Sequence, residues 1–245
     1  MLDKEILGGI HLVMAVLENR PQTIDKIWIQ KERQDHRVQK VIELAKQQRV
    51  TVQLLSKKEW ENLSLDYYQG VAAQCHATPA YSERDLAKLL ESLKPPYLLL
   101  ILDCVQDPHN VGACLRNANA LGTQAVIVPK DKSAGLTPTV RKIACGAAEV
   151  TPFVVVSNLA RALAFLKDEG VWLVGLDEEA SQVLSEVDLK GNIGLVMGGE
   201  GEGLRRLTRE TCDYLAKIPM SGTVESLNVS AASAIALYEV VRQRE

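Results

Sequence analysis

Three stretches of the chain hold residue types at spacings that could do chemistry. The first runs Asp103-Cys104-Val105-Gln106-Asp107-Pro108-His109-Asn110-Val111-Gly112-Ala113-Cys114-Leu115-Arg116-Asn117, an apolar run that ends in a proline-fixed turn. Asn110 is placed there as the N-cap of a following helix, and Arg116 projects about two turns later. The second is Met197-Gly198-Gly199-Glu200-Gly201-Glu202-Gly203-Leu204, where four glycines in six residues imply close backbone approach to a ligand or positive φ angles. The third, Lys217-Ile218-Pro219-Met220-Ser221-Gly222-Thr223-Val224-Glu225-Ser226-Leu227-Asn228-Val229-Ser230, leads into a helix that Ser226 or Asn228 would cap. That helix carries Ala231, Ala232, Ser233, Ala234 and Ala236, so little side chain that another backbone or a flat ligand can approach closely. An ordinary capped surface helix accounts for the cap but not for the small residues.

Several chemistries are disfavoured at once. A dinucleotide fingerprint G-x-G-x-x-G needs glycine where Arg206 follows Gly201 and Gly203, and the two glutamates of that loop would repel a pyrophosphate. The G-x-x-x-x-G-K-[ST] phosphate loop does not occur either. Hydride and phosphoryl transfer are therefore poor readings. The five cysteines, Cys75, Cys104, Cys114, Cys145 and Cys212, include no C-x-x-C pair and read as reduced, mostly buried small residues. His109 between Cys104 and Cys114 fits no zinc pattern, so no metal is expected. With 28 Lys and Arg against 31 Asp and Glu, the net charge is −3, and any nucleic-acid binding needs locally concentrated positive charge.

The elements that must position these stretches follow from periodicity. Residues 97–103 form a continuous apolar strand, closed by Asp103, of the kind buried on both faces of a parallel sheet. Helices over 111–121, 138–148, 159–168 and 204–212 then alternate with strands over 124–128, 151–156, 171–176, 193–197 and 214–219, ahead of a final helix. Such alternation is an α/β sheet with ligands at the strands' carboxyl ends. Upstream, helical spacing over 8–19 and 34–48, with strands over 24–29, 50–55 and 70–75 and a short helix over 57–63, makes a separate compact α/β unit. Residues 77–96 read as a linker with a helix over 83–93, which divides the chain into 1–76, 77–96 and 97–245.

The first unit concentrates cations. Lys31, Arg33, Arg37, Lys40, Lys46, Arg49, Lys57 and Lys58 face only Glu32, Asp35 and Glu43. They serve equally as a track for a phosphate backbone or as a solvated helix face. Tyr67 and Tyr68 are placed to stack on bases or to pack on the domain. The longest apolar run is too short to span a bilayer, and the first residues lack the basic start and apolar core of a signal peptide, so a cytoplasmic protein is expected.

Taken together, Asn110-x-Gly112-x-x-x-Arg116, Met197-Gly198-x-Glu200-Gly201-x-Gly203, and Ile218-Pro219-Met220 leading to Ser226-Leu227-Asn228-Val229-Ser230 resemble, in order and spacing, the three motifs of the SpoU (TrmH-like) RNA 2′-O-methyltransferases of the SPOUT superfamily. The resemblance covers residues 97–245. It implies a trefoil-knotted parallel-sheet catalytic domain that works as a homodimer with S-adenosyl-L-methionine. It also implies that the backbone around Gly198, Gly199, Gly203, Ile218 and Leu227 binds the cofactor, and that Met197, Met220, Ser226 and Asn228 line the knot. Arg116 matches the family arginine at the 2′-hydroxyl, and Asn110 and Glu200 hold the active loops, with Ser226 and Asn228 completing the catalytic set. The N-terminal unit resembles an L30-like RNA-binding domain, which assigns Arg33, Arg37 and Lys40, together with Arg116, to RNA. Over its full length the chain is most similar to members acting on a guanosine of bacterial 23S ribosomal RNA in the peptidyl-transferase region, which implies that RNA or a large-subunit precursor as partner. Two rivals remain. A tRNA ribose 2′-O-methyltransferase would share the motifs but lack the N-terminal unit, and a non-catalytic RNA-binding ribosome-assembly factor would be expected to have lost Arg116, Asn228 or the glycine loop.

Overall fold

Two hydrophobic patterns build two different sheets in the computed structural model, which describes residues 4–64, 68–76 and 79–245. Contacts divide the chain into one unit of Met1–Pro79 with Arg141–Val150 and another of Ala80–Val140 with Thr151–Glu245. In the first unit, β1 (Lys4–Gly8), α1 (Ile10–Asn19), β2 (Ile24–Gln30), α2 (His36–Gln47), β3 (Val52–Leu55), α3 (Lys57–Asn62) and β4 (Val71–His76) follow in order. The sheet order is β1-β4-β2-β3, with β4 antiparallel to both neighbours and β2 parallel to β3.

Alternation sorts its two faces. Ile27, Ile29, Val71, Ala73 and Cys75 join the core with α1 and α2, whereas Trp28 and Ala72 pack with Trp60 of α3 and Tyr68. Tyr68 is thus a packing residue, and Tyr67 lies outside the described residues. Asp35 caps α2 by accepting from the Arg37 and Val38 amides, and Ser56 with Glu59 forms a capping box on α3. Arg141 and Glu149 belong to this unit, where they form a buried ionic cluster with Arg20 and Glu5. Strand β1, half-exposed and only five residues long, is an element that periodicity did not announce.

The second unit comprises β5 (Tyr81–Ser82), α4 (Leu86–Ser92), β6 (Leu98–Asp103), α5 (Pro108–Ala120), β7 (Ala125–Pro129), the first half of α6 (Pro138–Ile143), whose residues from Arg141 belong to the first unit, β8 (Phe153–Val156), α7 (Leu159–Asp168), β9 (Trp172–Leu176), β10 (Gln182–Val183), β11 (Ile193–Gly198), α8 (Arg206–Thr211), β12 (Tyr214–Lys217) and α9 (Val229–Arg244). These strands form an eight-stranded sheet in the order β10-β12-β9-β11-β6-β7-β8-β5, and every pairing is parallel. All residues of β6 and β7 are buried, as expected where both faces are covered.

Some boundaries differ from the sequence reading, each for a local reason. Residues 80–96 pack with this unit because β5 pairs with β8 and α4 contributes Leu86, Leu89 and Leu90 to the core. The helix expected over 138–148 stops at Ile143, where Cys145 and Gly146 take φ of 52° and 97°. Helix α5 starts earlier than expected, at Pro108, because Asp107 is its N-cap and accepts from the His109 amide at 2.8 Å. No helix among the described residues is long and apolar enough to cross a membrane.

The strand order sets the site. Strand β11 is inserted between β9 and β6, so the carboxyl ends of β6 and β11 lie side by side, with Gly198 opposite Asp103. Loops leaving two such neighbours in opposite directions open a crevice for a ligand.

Candidate functional site

The crevice is closed by one polar network that joins all three stretches. The Asn110 side-chain amide, in the first turn of α5, donates to Glu200 Oε1 of the glycine loop. Asn228, at the N-terminus of α9, donates to Asn110 Oδ1 at 3.0 Å and to Glu200 Oε1 at 3.4 Å. Its Oδ1 accepts from the Ser230 amide at 2.9 Å and from Ser230 Oγ at 2.6 Å, so Asn228 caps α9 while reaching the other loops. Asn110, expected as an N-cap, is instead inside the helix and 7% exposed, which frees its side chain for the network. Ser226 is an exposed neighbour of the cap and does not itself cap α9.

The glycine loop is pinned at both ends. A Cβ on Gly198 would lie 2.2 Å from the Gly203 carbonyl carbon, and one on Gly199 would lie 2.4 Å from the Cys104 carbonyl oxygen. Side chains there would push the loop off the end of β6. At the other end, fully buried Asp103 accepts from the Arg205 amide at 3.0 Å and from Arg205 Nε at 2.7 Å. The fixed arrangement of a guanidinium on a carboxylate holds both the loop exit and the strand end. Burial, reinforced by Asp103, pushes the Cys104 thiol up, and burial pushes Cys114 up to about 11, so both remain thiols rather than nucleophiles near neutral pH.

The small residues of α9 have a structural use. Ser233 and Ala236 are fully buried, Ser233 Oγ donates to the Ser230 carbonyl at 2.8 Å, and Asn117 of α5 donates to the same carbonyl at 2.8 Å. Close packing of α9 on α5 therefore fixes Asn228 relative to Asn110. Arg116 lies on the exposed side of α5, six residues beyond Asn110, a rise of roughly 9 Å along the axis.

Met197 is buried within β11, Ile218 is half-buried, and every residue from 219 to 228 is exposed. That exposed loop carries apolar Met220, Val224 and Leu227 beside the polar network. Arg33, Arg37 and Lys40 lie in the first unit. Arg33 is bound to Asp35 at 2.7 Å and to the Gln69 carbonyl, while Arg37 and Lys40 are exposed on α2. Asp103, Asp107, Asn117 and Arg205 were not singled out from the sequence. Asp107-Pro108 was legible as a cap followed by proline at the first helical position, and Asp103 as a carboxylate closing an unbroken apolar strand.

Such an arrangement can hold a flat, partly apolar ligand at the glycine loop and present a cation toward an anionic substrate. The SpoU rRNA Methylase family profile matches residues 97–238, more than half of the chain, and a profile described as RNA 2′-O ribose methyltransferase substrate binding matches residues 6–80. The chain is 54% identical over 237 residues to the 23S rRNA (guanosine-2′-O-)-methyltransferase RlmB of Coxiella burnetii, covering 97% of this chain and 95% of that protein. It is 51% identical over 240 residues to RlmB of Pseudomonas aeruginosa, covering 98% and 97%. Among solved structures, the SpoU methyltransferase AviRb from Streptomyces viridochromogenes, in complex with the cofactor AdoMet, shares the fold at a TM-score of 0.80 and 23% identity, over 98% of this chain and 90% of that one. With the motif loops gathered at one sheet switch point and these matches along nearly its whole length, the chain belongs to the SpoU rRNA methylase family.

Proposed function

We propose that this protein transfers a methyl group from S-adenosyl-L-methionine to the ribose 2′-hydroxyl of a guanosine in 23S ribosomal RNA. The observation that carries the reading is the Asn110–Glu200–Asn228 network, which sets the three motif loops against one another at the carboxyl ends of β6 and β11. The names of the relatives, matched over nearly their full length, support the substrate.

When bound, S-adenosyl-L-methionine supplies an electrophilic methyl group on a sulfonium, which calls for in-line approach of the ribose oxygen. The residues present fit that cofactor. Exposed Met220 and Leu227 with half-buried Ile218 offer apolar contact for an adenosyl group, and the pinned backbone at Gly198, Gly199 and Gly203 offers polar edges. Asn110, Glu200 and Asn228 hold these loops in place before substrate arrives, which lowers the cost of orientation. Arg116 acts as a positioning cation, because a guanidinium with a pKa above ~12 is a poor proton acceptor at neutral pH. It orients the target phosphate and favours the ionised form of the hydroxyl electrostatically.

Met220, Val224 and Leu227 in the last loop, with Ile235 and Tyr238 on α9, leave an apolar surface that a second copy of the chain would cover in a homodimer. The threading of the C-terminal segment into a trefoil knot and a cytoplasmic location belong to the same reading. So does RNA binding by residues 1–76 through Arg37 and Lys40, with residues 97–245 as the catalytic domain.

Mapping 2′-O-methylation of 23S ribosomal RNA from cells with and without the gene tests the activity. Loss of methyl from one guanosine is expected, and an unchanged map would refute the reading. In single-turnover assays Arg116→Lys should lose more than tenfold in rate while binding S-adenosyl-L-methionine within twofold of the wild type. Near-full activity would remove the role of the planar guanidinium.

A further inference from the structure

The carboxyl rim of the parallel sheet carries a second polar feature that the site above leaves unused. A groove of about 660 Å³ opens at the ends of β5, β7 and β8, lined by Glu83, Arg84, Lys130, Ser157 and Arg161 among others. Lys130 directly follows β7 and Ser157 directly follows β8, so both stand at the same edge of the sheet as Asp103 and Gly198. The loop after β7 is also tied to the active-site loop, since Ser133 Oγ and the Ala134 amide both donate to the Val105 carbonyl at 3.1 Å. With neighbouring strands 4.7–4.9 Å apart, the groove lies roughly 5–15 Å to the side of the β6 end.

Its charge is one-sided. Glu83 is the acidic residue of the lining, and it is already bound by the Ser157 amide at 3.0 Å, Ser157 Oγ at 2.6 Å and Arg161 Nε at 2.7 Å. These bonds hold its carboxyl below the usual carboxylate range, the Ser157 hydroxyl contributing most. Arg161 is oriented in return, its Nε and one terminal nitrogen occupied by Glu83 and Ser157. Lys130 and Arg84 are exposed and form no ion pair among the described residues. Other arginines of this unit are neutralised at the surface: Arg206 by Glu210, Arg209 by Asp177 and Arg242 by Glu239. In a chain of net charge −3, Arg84 and Lys130, outside any ion pair among the described residues, beside an Arg161 that Glu83 holds in place leave this one groove near the reaction site with a net positive charge and make it a local anion-binding surface.

We propose that this groove binds the phosphate backbone of the RNA substrate next to the target nucleotide, with Arg84, Lys130 and Arg161 facing its phosphates. The assignment rests on the RNA-methylating reading above and adds a contact surface within the catalytic unit. Arg161 is held by its partners before RNA arrives, so less side-chain freedom is lost on contact.

The test compares the double variant Arg84→Glu with Lys130→Glu against Lys190→Glu, an exposed residue near the amino end of β11 and hence at the opposite rim. Affinity for an in vitro transcript of 23S ribosomal RNA is measured across a salt series, alongside calorimetric binding of S-adenosyl-L-methionine. The double variant should bind RNA at least tenfold more weakly at 0.15 M salt. Its slope of log affinity against log salt should be shallower by about 1.4, at ~0.7 per lost phosphate contact. The milder pair Arg84→Gln with Lys130→Gln should fall in between. Lys190→Glu should stay within twofold of the wild type, and all variants should bind S-adenosyl-L-methionine normally. If both groove variants bind RNA as Lys190→Glu does, the inference is overturned. If the wild type binds RNA through the groove but binds no S-adenosyl-L-methionine, the groove stands and the methyltransfer reading falls.

Discussion

At the amino-terminal rim of the eight-stranded sheet, the side chains of Asn192, Gln124 and Arg244 bind strand-end backbone, whereas at the carboxyl-terminal rim those of Asn110, Glu200 and Asn228 bind one another. Asn192 accepts from the Tyr97 amide at 2.9 Å and Gln124 accepts from the Leu98 amide at 3.0 Å. Arg244 donates to the Tyr97 and Gly191 carbonyls at 2.7 Å each. These bonds satisfy strand ends that would otherwise bury unpaired donors and acceptors, and they leave little free chemistry. Across the sheet, Asn110, Glu200 and Asn228 join three loops without serving strand backbone, and the loop from 219 to 228 stays exposed. The difference separates polar groups that close a fold from polar groups that set up a site.

Paired substitutions can break that contrast. The largest effect is expected at the carboxyl rim. Glu200→Gln keeps the shape but turns an exposed charged acceptor facing two amide donors into a neutral amide, which loosens the link between the three loops while solvent screening keeps its cost to the fold small. Methyl transfer should fall by at least tenfold with little change in Tm. Asn192→Ala should do the reverse, costing about 1–3 kcal/mol of stability, a few degrees in Tm, with turnover per folded molecule unchanged. Equal losses of activity in the two variants would erase the distinction between rims.

A second pair concerns glycine. Gly198→Ala places a methyl against backbone of its own loop, so affinity for S-adenosyl-L-methionine measured by calorimetry should drop about tenfold. Gly191→Ala, which meets no atom within 4 Å at the amino rim, should shift stability by less than about 1 kcal/mol in urea unfolding.

The smallest effect is acid-linked. Arg242, then Gln243, hold the Glu239 carboxyl down to about 2 against an ordinary value of 4.5. A depressed folded-state pKa stabilises above the unfolded value, so this contribution should be complete above pH 4.5 and disappear as pH falls toward 2. Solvent screening keeps it small. Glu239→Gln should flatten that part of the pH–stability curve, and it touches the amino rim, because Gln243 also binds the Val187 carbonyl and the Leu189 amide.

Legibility in the sequence followed the range of the interaction. Residues 97–103 declared a buried parallel strand, and 159–168 declared a helix with the bounds that α7 has. Two-residue strands β5 and β10 had no periodicity to read, since their place depends on partners β8 and β12. Arg141–Val150 continued an α/β pattern in sequence, yet its buried charges Arg141 and Glu149 cluster with Arg20 and Glu5, over a hundred residues away. Asn110 was misplaced as a cap because a short polar residue near a helix start has two uses, and the choice depended on Glu200 and Asn228, 90 and 118 residues away.

By itself the sequence determined the alternation of strands and helices, the three motif stretches, the glycine requirement and the small face of α9, because each is set by side-chain size, backbone freedom or near-neighbour spacing. Only the tertiary structure decided that β11 enters between β9 and β6, and with it that the three stretches meet at Glu200 and that cations from the loop after β7, from α7 and from the segment after β5 share one groove. Strand order is chosen by long-range burial, since parallel neighbours must be brought together across whole crossovers and no local pattern records which of them will be adjacent.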